Sequence, residues 1–315
     1  MKKTVKLTLP NLALSGSAFI VIAALLWSLD GVIRSSLNSI PPSFLVSLEH
    51  ILGIIPLLPW LYIYRKEFFK ASRSAQIALV VTSIISGALG TIFYTAALGQ
   101  INYIPFSVVV LVIQLQPLFT VGLSTFLLKE KLTAKFVVAA IFSLIGVYLI
   151  SFPNLMPDLS SKAGIAQATA ALLALCAAFA WGSGTVFSKI TLSEINYKAA
   201  TAGRYLITII TALLLSFILG QNIVLASITS TQWLELVVLV FVTGTGALLI
   251  YYRGLSQTKA NASAFLELVW PASAFLIDII RNVSFTPSQL VGAVLVAMMV
   301  YRIAKQQNLL PSRGE

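Results

Sequence analysis

Acidic residues are scarce in this chain: ten Asp and Glu among 315 residues, with a single histidine and a single cysteine. The lone Cys176 excludes an intrachain disulfide, and one His with one distant Cys do not make the ligand set of a zinc site. No Gly-rich loop ending in Gly-Lys-Ser/Thr is present, which argues against ATP as a direct energy source and leaves no cofactor expected. Charged residues of both signs make up only 10% of the chain, against about 25% in soluble domains.

Apolar residues fill that space. Hydrophobic residues reach 58%, and they fall into runs long enough for the roughly 20 residues that a membrane-crossing helix needs. Ten such runs are read: 14–34, 41–64, 76–98, 104–128, 134–152, 166–189, 197–219, 231–253, 262–281 and 287–304. The predicted fold is therefore all-α and integral to the membrane. Connectors are short and carry turn residues, as in Ser39-Ile-Pro-Pro42 and Thr286-Pro287, so no soluble domain is expected. The basic start, Lys2, Lys3 and Lys6, precedes the uncharged stretch Leu12 to Leu29, which exceeds the usual apolar core of a signal peptide, about 7–15 residues, and reads as a retained span.

The net charge of +11 would suggest nucleic acid in a soluble protein, but here the bases lie between apolar runs, so no nucleic-acid partner is expected. Taking alternate connectors, one side collects Lys2, Lys3, Lys6, Arg65, Lys66, Lys70, Arg73, Lys129, Lys131, Lys135, Lys189, Lys198, Arg253, Lys259, Arg302, Lys305 and Arg313. The other has Arg34, Lys162 and Arg281, and Arg204 falls inside a span. Positive charge marks the cytoplasmic side, so both termini are expected there, in the inner (cytoplasmic) membrane.

The chain also repeats itself. Trp27-Ser-Leu-Asp-Gly-Val-Ile-Arg34 is echoed by Trp181-Gly-Ser-Gly-Thr-Val-Phe-Ser-Lys189, Gly87 with Tyr94 by Gly244 with Tyr251, and Pro117 by Pro271, at offsets of 154 to 157 residues. Residues 1–153 and 160–315 thus read as two five-span halves. Because five is odd, the second half enters from the opposite side, the inverted repeat common among secondary transporters.

These features together, with Leu127-Leu-Lys-Glu130-Lys-Leu-Thr133 closing a Pro-containing fourth span, resemble the drug/metabolite transporter superfamily and within it the EamA-like exporters. The resemblance implies a ten-helix transporter that moves small metabolites by alternating access. It also implies amino-acid-like efflux as a common activity, with no enzymatic step. A membrane-embedded lipid-handling protein, a scramblase or lipid-modifying enzyme, is the alternative. The expected partners are a small-molecule substrate, the lipid bilayer and protons, with the chain working as a monomer.

Ionisable residues inside apolar runs are the candidate site, since a charge near the bilayer centre costs roughly 2.5 to 3.5 kcal/mol unless it is paired or wet. Glu49 and His50 lie about eight residues into the second span, Arg204 and Tyr205 about eight into the seventh; the repeat relates the two pairs, each roughly 12 Å deep. Glu49 and Arg204 are expected either to pair or to hold opposite ends of a zwitterion, and Glu49 and His50 to carry protons. Trp27 and Asp30 share a helix face with Arg34; they line an outer vestibule unless Asp30 and Arg34 merely pair toward the surface. Asp278 and Arg281 are expected to form an interfacial pair. Gln114 and Gln116 precede Pro117, and Glu267 and Trp270 precede Pro271. Paired interruptions at matching places in two halves point to a binding site. Tyr94 and Tyr251 are candidates to stack on a substrate.

Overall fold

The computed structural model describes residues 16–309 apart from 101, 103, 129–133, 153, 156–158, 222–224, 259–262, 264–265 and 268. Lys2, Lys3, Lys6, Lys129, Lys131, Lys259 and Arg313, and the segment 129–133, lie outside the described residues. Each expected apolar run contains one helix: α1 Gly16–Ser36, α2 Pro42–Ile63, α3 Arg73–Leu98, α4 Phe106–Leu127, α5 Ala134–Ser151, α6 Lys162–Leu192, α7 Tyr197–Ile218, α8 Ser230–Gln257, α9 Val269–Ile280 and α10 Pro287–Leu309. Seven are long and apolar enough to cross a membrane, and the apolar parts of α5, α9 and α10 are shorter.

Local chemistry sets the ends. Ser72, Ser161 and Asn196 side chains accept the backbone N–H of Ala75, Gly164 and Lys198, capping α3, α6 and α7. Thr229 and Gln232 form a reciprocal capping box on α8, which satisfies donors that a helix start otherwise leaves bare. Gly220, at φ 62°, stops α7; the left-handed turn lets Gln221 N–H return to the Ser216 carbonyl.

Four helices depart from regularity. Around Pro56, α2 tightens into a 3-10 turn at Ile55–Leu57, and α4 opens at Gln114 and Leu115, just before Pro117. In α3 and α8 the turns widen to π geometry over Ser83–Gly90 and Leu239–Gly244. Such wide turns displace a helical carbonyl, and other groups take it up: Thr208 of α7 donates to Ser83 O at 3.0 Å, and Thr243 donates to Leu239 O at 2.9 Å.

Small residues allow close crossings. A Cβ on Gly146 of α5 would meet Val296 of α10 at 2.7 Å, and one on Gly292 would meet the Gly146 carbonyl at 2.6 Å. At the end where α1 finishes, Leu37, Ile40, Leu45 and Leu48 pack with Ile228, Leu236, Leu239 and Val240. At the opposite end Ile20, Leu79, Ile195, Tyr252 and Leu255 belong to another cluster. Polar contacts link the same regions: Ser43 Oγ to Gln221 Oε1 at 2.7 Å near the first end, and Ser72 N and Oγ to the Glu194 carboxylate, both 2.6 Å, near the second. Facing outward are large apolar side chains such as Phe126, Leu214 and Phe217, the lipid face of a spanning bundle. Asp278 and Arg281, expected to form an interfacial pair, do not pair: Asp278 is 1% exposed and its Oδ2 accepts Ser107 N–H at 2.8 Å, joining α9 to α4, while Arg281 is exposed. An N–H at the start of α4, which no helical carbonyl can reach, takes the carboxylate in place of Arg281.

Candidate functional site

A pocket lies between the two packed ends, and every sequence-predicted site residue lines it except Gln114. Gln114 occupies the α4 break as expected, but its side chain is buried outside the pocket, and its Nε2 finds no partner among the described residues. Gln116, two residues on, faces the pocket. At about 100° per helical residue, two positions of separation turn a side chain through more than half a circle.

One wall is ionic. Arg34 of α1 holds Asp30 one turn back, Nε to Oδ1 2.8 Å and Nη2 to Oδ2 3.0 Å. Its guanidinium also reaches Glu49 Oε2 of α2 at 3.1 Å and donates to Thr95 of α3 at 3.1 Å. Thr243, in the wide turn of α8, has one hydroxyl proton to share between Asp30 Oδ2 and the Leu239 carbonyl, each at 2.9 Å. All three charged residues are 5% exposed or less. The Asp30–Arg34 pair thus faces inward rather than toward the surface, because Glu49 from the neighbouring helix shares the guanidinium. Glu49 and Arg204 are not ion-paired, which settles one of the two expectations for them.

Arg204 of α7 stands on another wall, with Nη1 donating to Tyr252 Oη at 2.8 Å and Nη2 to Ser86 Oγ at 3.2 Å. Among the described residues it has no acid within salt-bridge distance. Tyr252 also meets Ser188 Oγ at 2.9 Å, tying α7 and α8 to α6. His50 Nδ1 lies 2.9 Å from the Val46 carbonyl; a carbonyl only accepts, so this nitrogen carries the proton. The His50 ring packs on Tyr205 at 4.5 Å.

Aromatic rings form the rest. Trp27 contacts Tyr251 at 5.1 Å and Trp270 at 6.4 Å; Trp270 contacts Tyr94 and Trp181, both at 6.0 Å; Tyr94 and Trp181 are 5.2 Å apart. Trp181 is fixed by its Nε1 donating to Ser86 O at 3.0 Å and by Gly90, where a Cβ would come within 2.7 Å of the indole. Trp270 Nε1 is buried without a hydrogen-bond partner among the described residues. Glu267 closes this side, 8% exposed, accepting from Ser263 Oγ at 2.9 Å.

Arg34, Trp181, Ser86, Thr185 and Thr243 also line the pocket and were not singled out as site residues. Trp181 was legible as the repeat partner of Trp27, which was itself placed in the site. The serine and threonines carry no sequence signal that separates lining from packing.

A lipid-facing bundle of apolar helices around a pocket of aromatic, acidic and basic side chains defines a membrane carrier of small molecules. The chain belongs to the EamA-like transporter family, whose model matches residues 14–152 and again 168–304. It is 31% identical over 299 residues to the riboflavin transporter ImpX of Fusobacterium nucleatum, covering 93% of this chain and 98% of the relative. It is 27% identical to a "Probable amino-acid metabolite efflux pump" of Salmonella typhimurium, covering 89% and 92%. A protein crystal structure at 20% identity matches with a TM-score of 0.62, covering 93% of this chain and 96% of the other; at that identity the likeness concerns the fold alone. The protein is a multi-pass membrane transporter of a metabolite.

Proposed function

We propose that this chain is a secondary carrier whose substrate is a planar, hydrogen-bonding heteroaromatic metabolite of the riboflavin class, moved by alternating access between two inverted five-helix halves, residues 1–153 and 160–315. The single observation that carries the substrate class is the chain of touching rings, Tyr251, Trp27, Trp270, Tyr94 and Trp181, with an unpartnered indole N–H on Trp270. A flat heterocycle stacks on such rings, and its carbonyls accept that N–H. Glu267 and Gln116 offer further hydrogen bonds to ring edges. The printed name of the relative from Fusobacterium supports the same class.

Support for the two halves comes from the twofold match of one family model and from irregularities at repeat-related places, the wide turns of α3 and α8. The termini are assigned to the cytoplasmic side by the distribution of Lys and Arg, in the inner membrane, with the single chain as the working unit and no catalytic step.

A second reading is outward transport of an amino-acid-like zwitterion. It is favoured by the unpaired Arg204 and the doubly acidic Arg34 cluster on different walls, and by the names of the efflux-pump relatives. Purified protein in liposomes separates the two. The leading reading expects saturable counterflow of radiolabelled riboflavin, blocked by flavins and not by amino acids. Amino-acid counterflow with no riboflavin movement would select the second reading, and lipid movement without either would remove both.

A further inference from the structure

The pocket holds three acids and two arginines, and its charges are distributed unevenly. Asp30 and Glu49 share Arg34, and Arg204 is the second cation. Those four groups balance as a set. Glu267 is left over. Its carboxyl accepts a hydrogen bond from Ser263 Oγ at 2.9 Å, and the same hydroxyl lies 3.2 Å from Tyr251 Oη. Among the described residues, no Lys or Arg comes within salt-bridge distance of it.

The groups around it offer no second cation. From α8 it faces the Tyr251 phenol, and from α1 the Trp27 ring, with Asp30 and Arg34 committed to one another a turn beyond. From α6 comes Thr185, which is uncharged; Lys189, further along α6, does not line the pocket, and its Nζ is held at 2.9 Å by the carbonyls of Leu255 and Thr258. From α4 comes Gln116, also uncharged, and from α7 Arg204, engaged by Tyr252 and Ser86. From α3 comes Tyr94. Lys259 is outside the described residues.

We infer that Glu267 carries a proton across the membrane together with the substrate, making the chain a proton symporter. This rests on the carrier reading above. Glu267 lines the pocket at 8% exposure, so water reaches its carboxylate through that opening. A neutral flat substrate that stacks between Trp27 and Trp270 expels that water and brings no compensating charge, so the loaded pocket favours the protonated acid. Substrate binding and proton binding then strengthen each other reciprocally. The sequence placed the proton on Glu49 and His50. The geometry moves it to Glu267, because Glu49 has its cation and His50 is fixed between Val46 and Tyr205.

Two measurements test this. The first needs no substrate: infrared difference spectra of the purified protein over the physiological pH range are expected to contain a titrating carboxyl band that Glu267→Gln removes. Without such a band the inference falls. The second uses proteoliposomes and riboflavin. An inward-directed proton gradient is expected to accelerate wild-type uptake several-fold, Glu267→Gln to lose the acceleration whatever rate of counterflow it retains, and Glu267→Asp to keep the acceleration. A Gln variant whose remaining uptake still responds to the gradient overturns the proposal, as does an Asp variant that transports riboflavin without responding to it. If the wild type moves no riboflavin but the band titrates and vanishes in the Gln variant, the proton site stands and only the substrate assignment fails.

Discussion

Arg34 reaches Glu49 at 3.1 Å across the α1–α2 boundary while holding Asp30 one turn below it at 2.8 Å, so one guanidinium serves two buried carboxylates. Arg34→Gln leaves both acids without their cation in a site shielded from water. Breaking a buried ion pair from one side costs roughly 3 to 5 kcal/mol. The expected result is a sharp loss of thermal stability in detergent. Glu49→Gln, which leaves the Arg34–Asp30 pair intact, is expected to cost less. Equal stability of Arg34→Gln and wild type would mean the cluster is solvated.

The ring chain gives a prediction on affinity. Stacking of a heterocycle on an aromatic side chain contributes about 1–3 kcal/mol, a factor of roughly 5 to 150. Trp27→Ala and Trp270→Ala are each expected to raise the KM for riboflavin in that range. Trp270→Phe keeps the ring but removes the Nε1 donor that has no partner among the described residues, and is expected to have a smaller effect. Uptake kinetics with matched expression provide the measurement, and an unchanged KM in both alanine variants would remove the cage from the binding site.

The ten apolar runs and the break near Pro117 were legible in the sequence because hydropathy and proline act locally. Partner choice was not. Asp278 looked like a mate for Arg281 three residues on, yet it bonds Ser107 N–H on a helix far away in sequence. Arg34 looked like a surface residue because its apolar run, 14–34, ends on it, and only the approach of α2 brings Glu49 against it. The wide turns of α3 and α8 left no sequence signal either; Ser83 and Leu239 read as ordinary helical positions, and the Ser83 carbonyl is satisfied by Thr208 through tertiary contact, the Leu239 carbonyl by Thr243 one turn on in the same helix.

Gly90 tests how tightly the cage is seated. A side chain there would begin 2.7 Å from the Trp181 indole and 3.1 Å from Ala180 Cβ, so Gly90→Leu must push Trp181 off its bond to Ser86. Overpacking of this kind typically costs about 1–3 kcal/mol. Transport is expected to fall more than membrane insertion, read as uptake per unit of protein in the membrane. Full activity in Gly90→Leu would show that Trp181 is free to move.

The Ser72–Glu194 contact predicts a pH dependence outside the membrane. Hydrogen bonds from the Ser72 hydroxyl and backbone N–H hold the Glu194 carboxyl below its ordinary value. A depressed value means that the contact contributes fully above the usual carboxylate range and is lost as pH falls through the lowered one. Spin labels at Ala71 and Ser193 are expected to give a narrow distance distribution at neutral pH that broadens in acid, and Glu194→Gln to be broad throughout. A wild-type distribution that stays narrow in acid would mean that Glu194 does not hold these connectors together.

Charge balance between the walls makes the last prediction. The Arg34 cluster carries one negative charge in excess, and Arg204, held by Tyr252 and Ser86 and 9% exposed, carries one positive charge with no acid in contact among the described residues. Neither excess is stable alone in a dry pocket, so each is expected to depend on the other through space. Arg204→Gln alone strands the acidic excess, and Glu49→Gln alone strands Arg204; the double variant removes both at once. Its stability is therefore expected to exceed the sum of the single losses by about 0.5 to 3 kcal/mol, measured as a double-mutant cycle on thermal unfolding in detergent. Strict additivity would mean that water screens one wall from the other, and the substrate would then meet two independent charged sites instead of one balanced field.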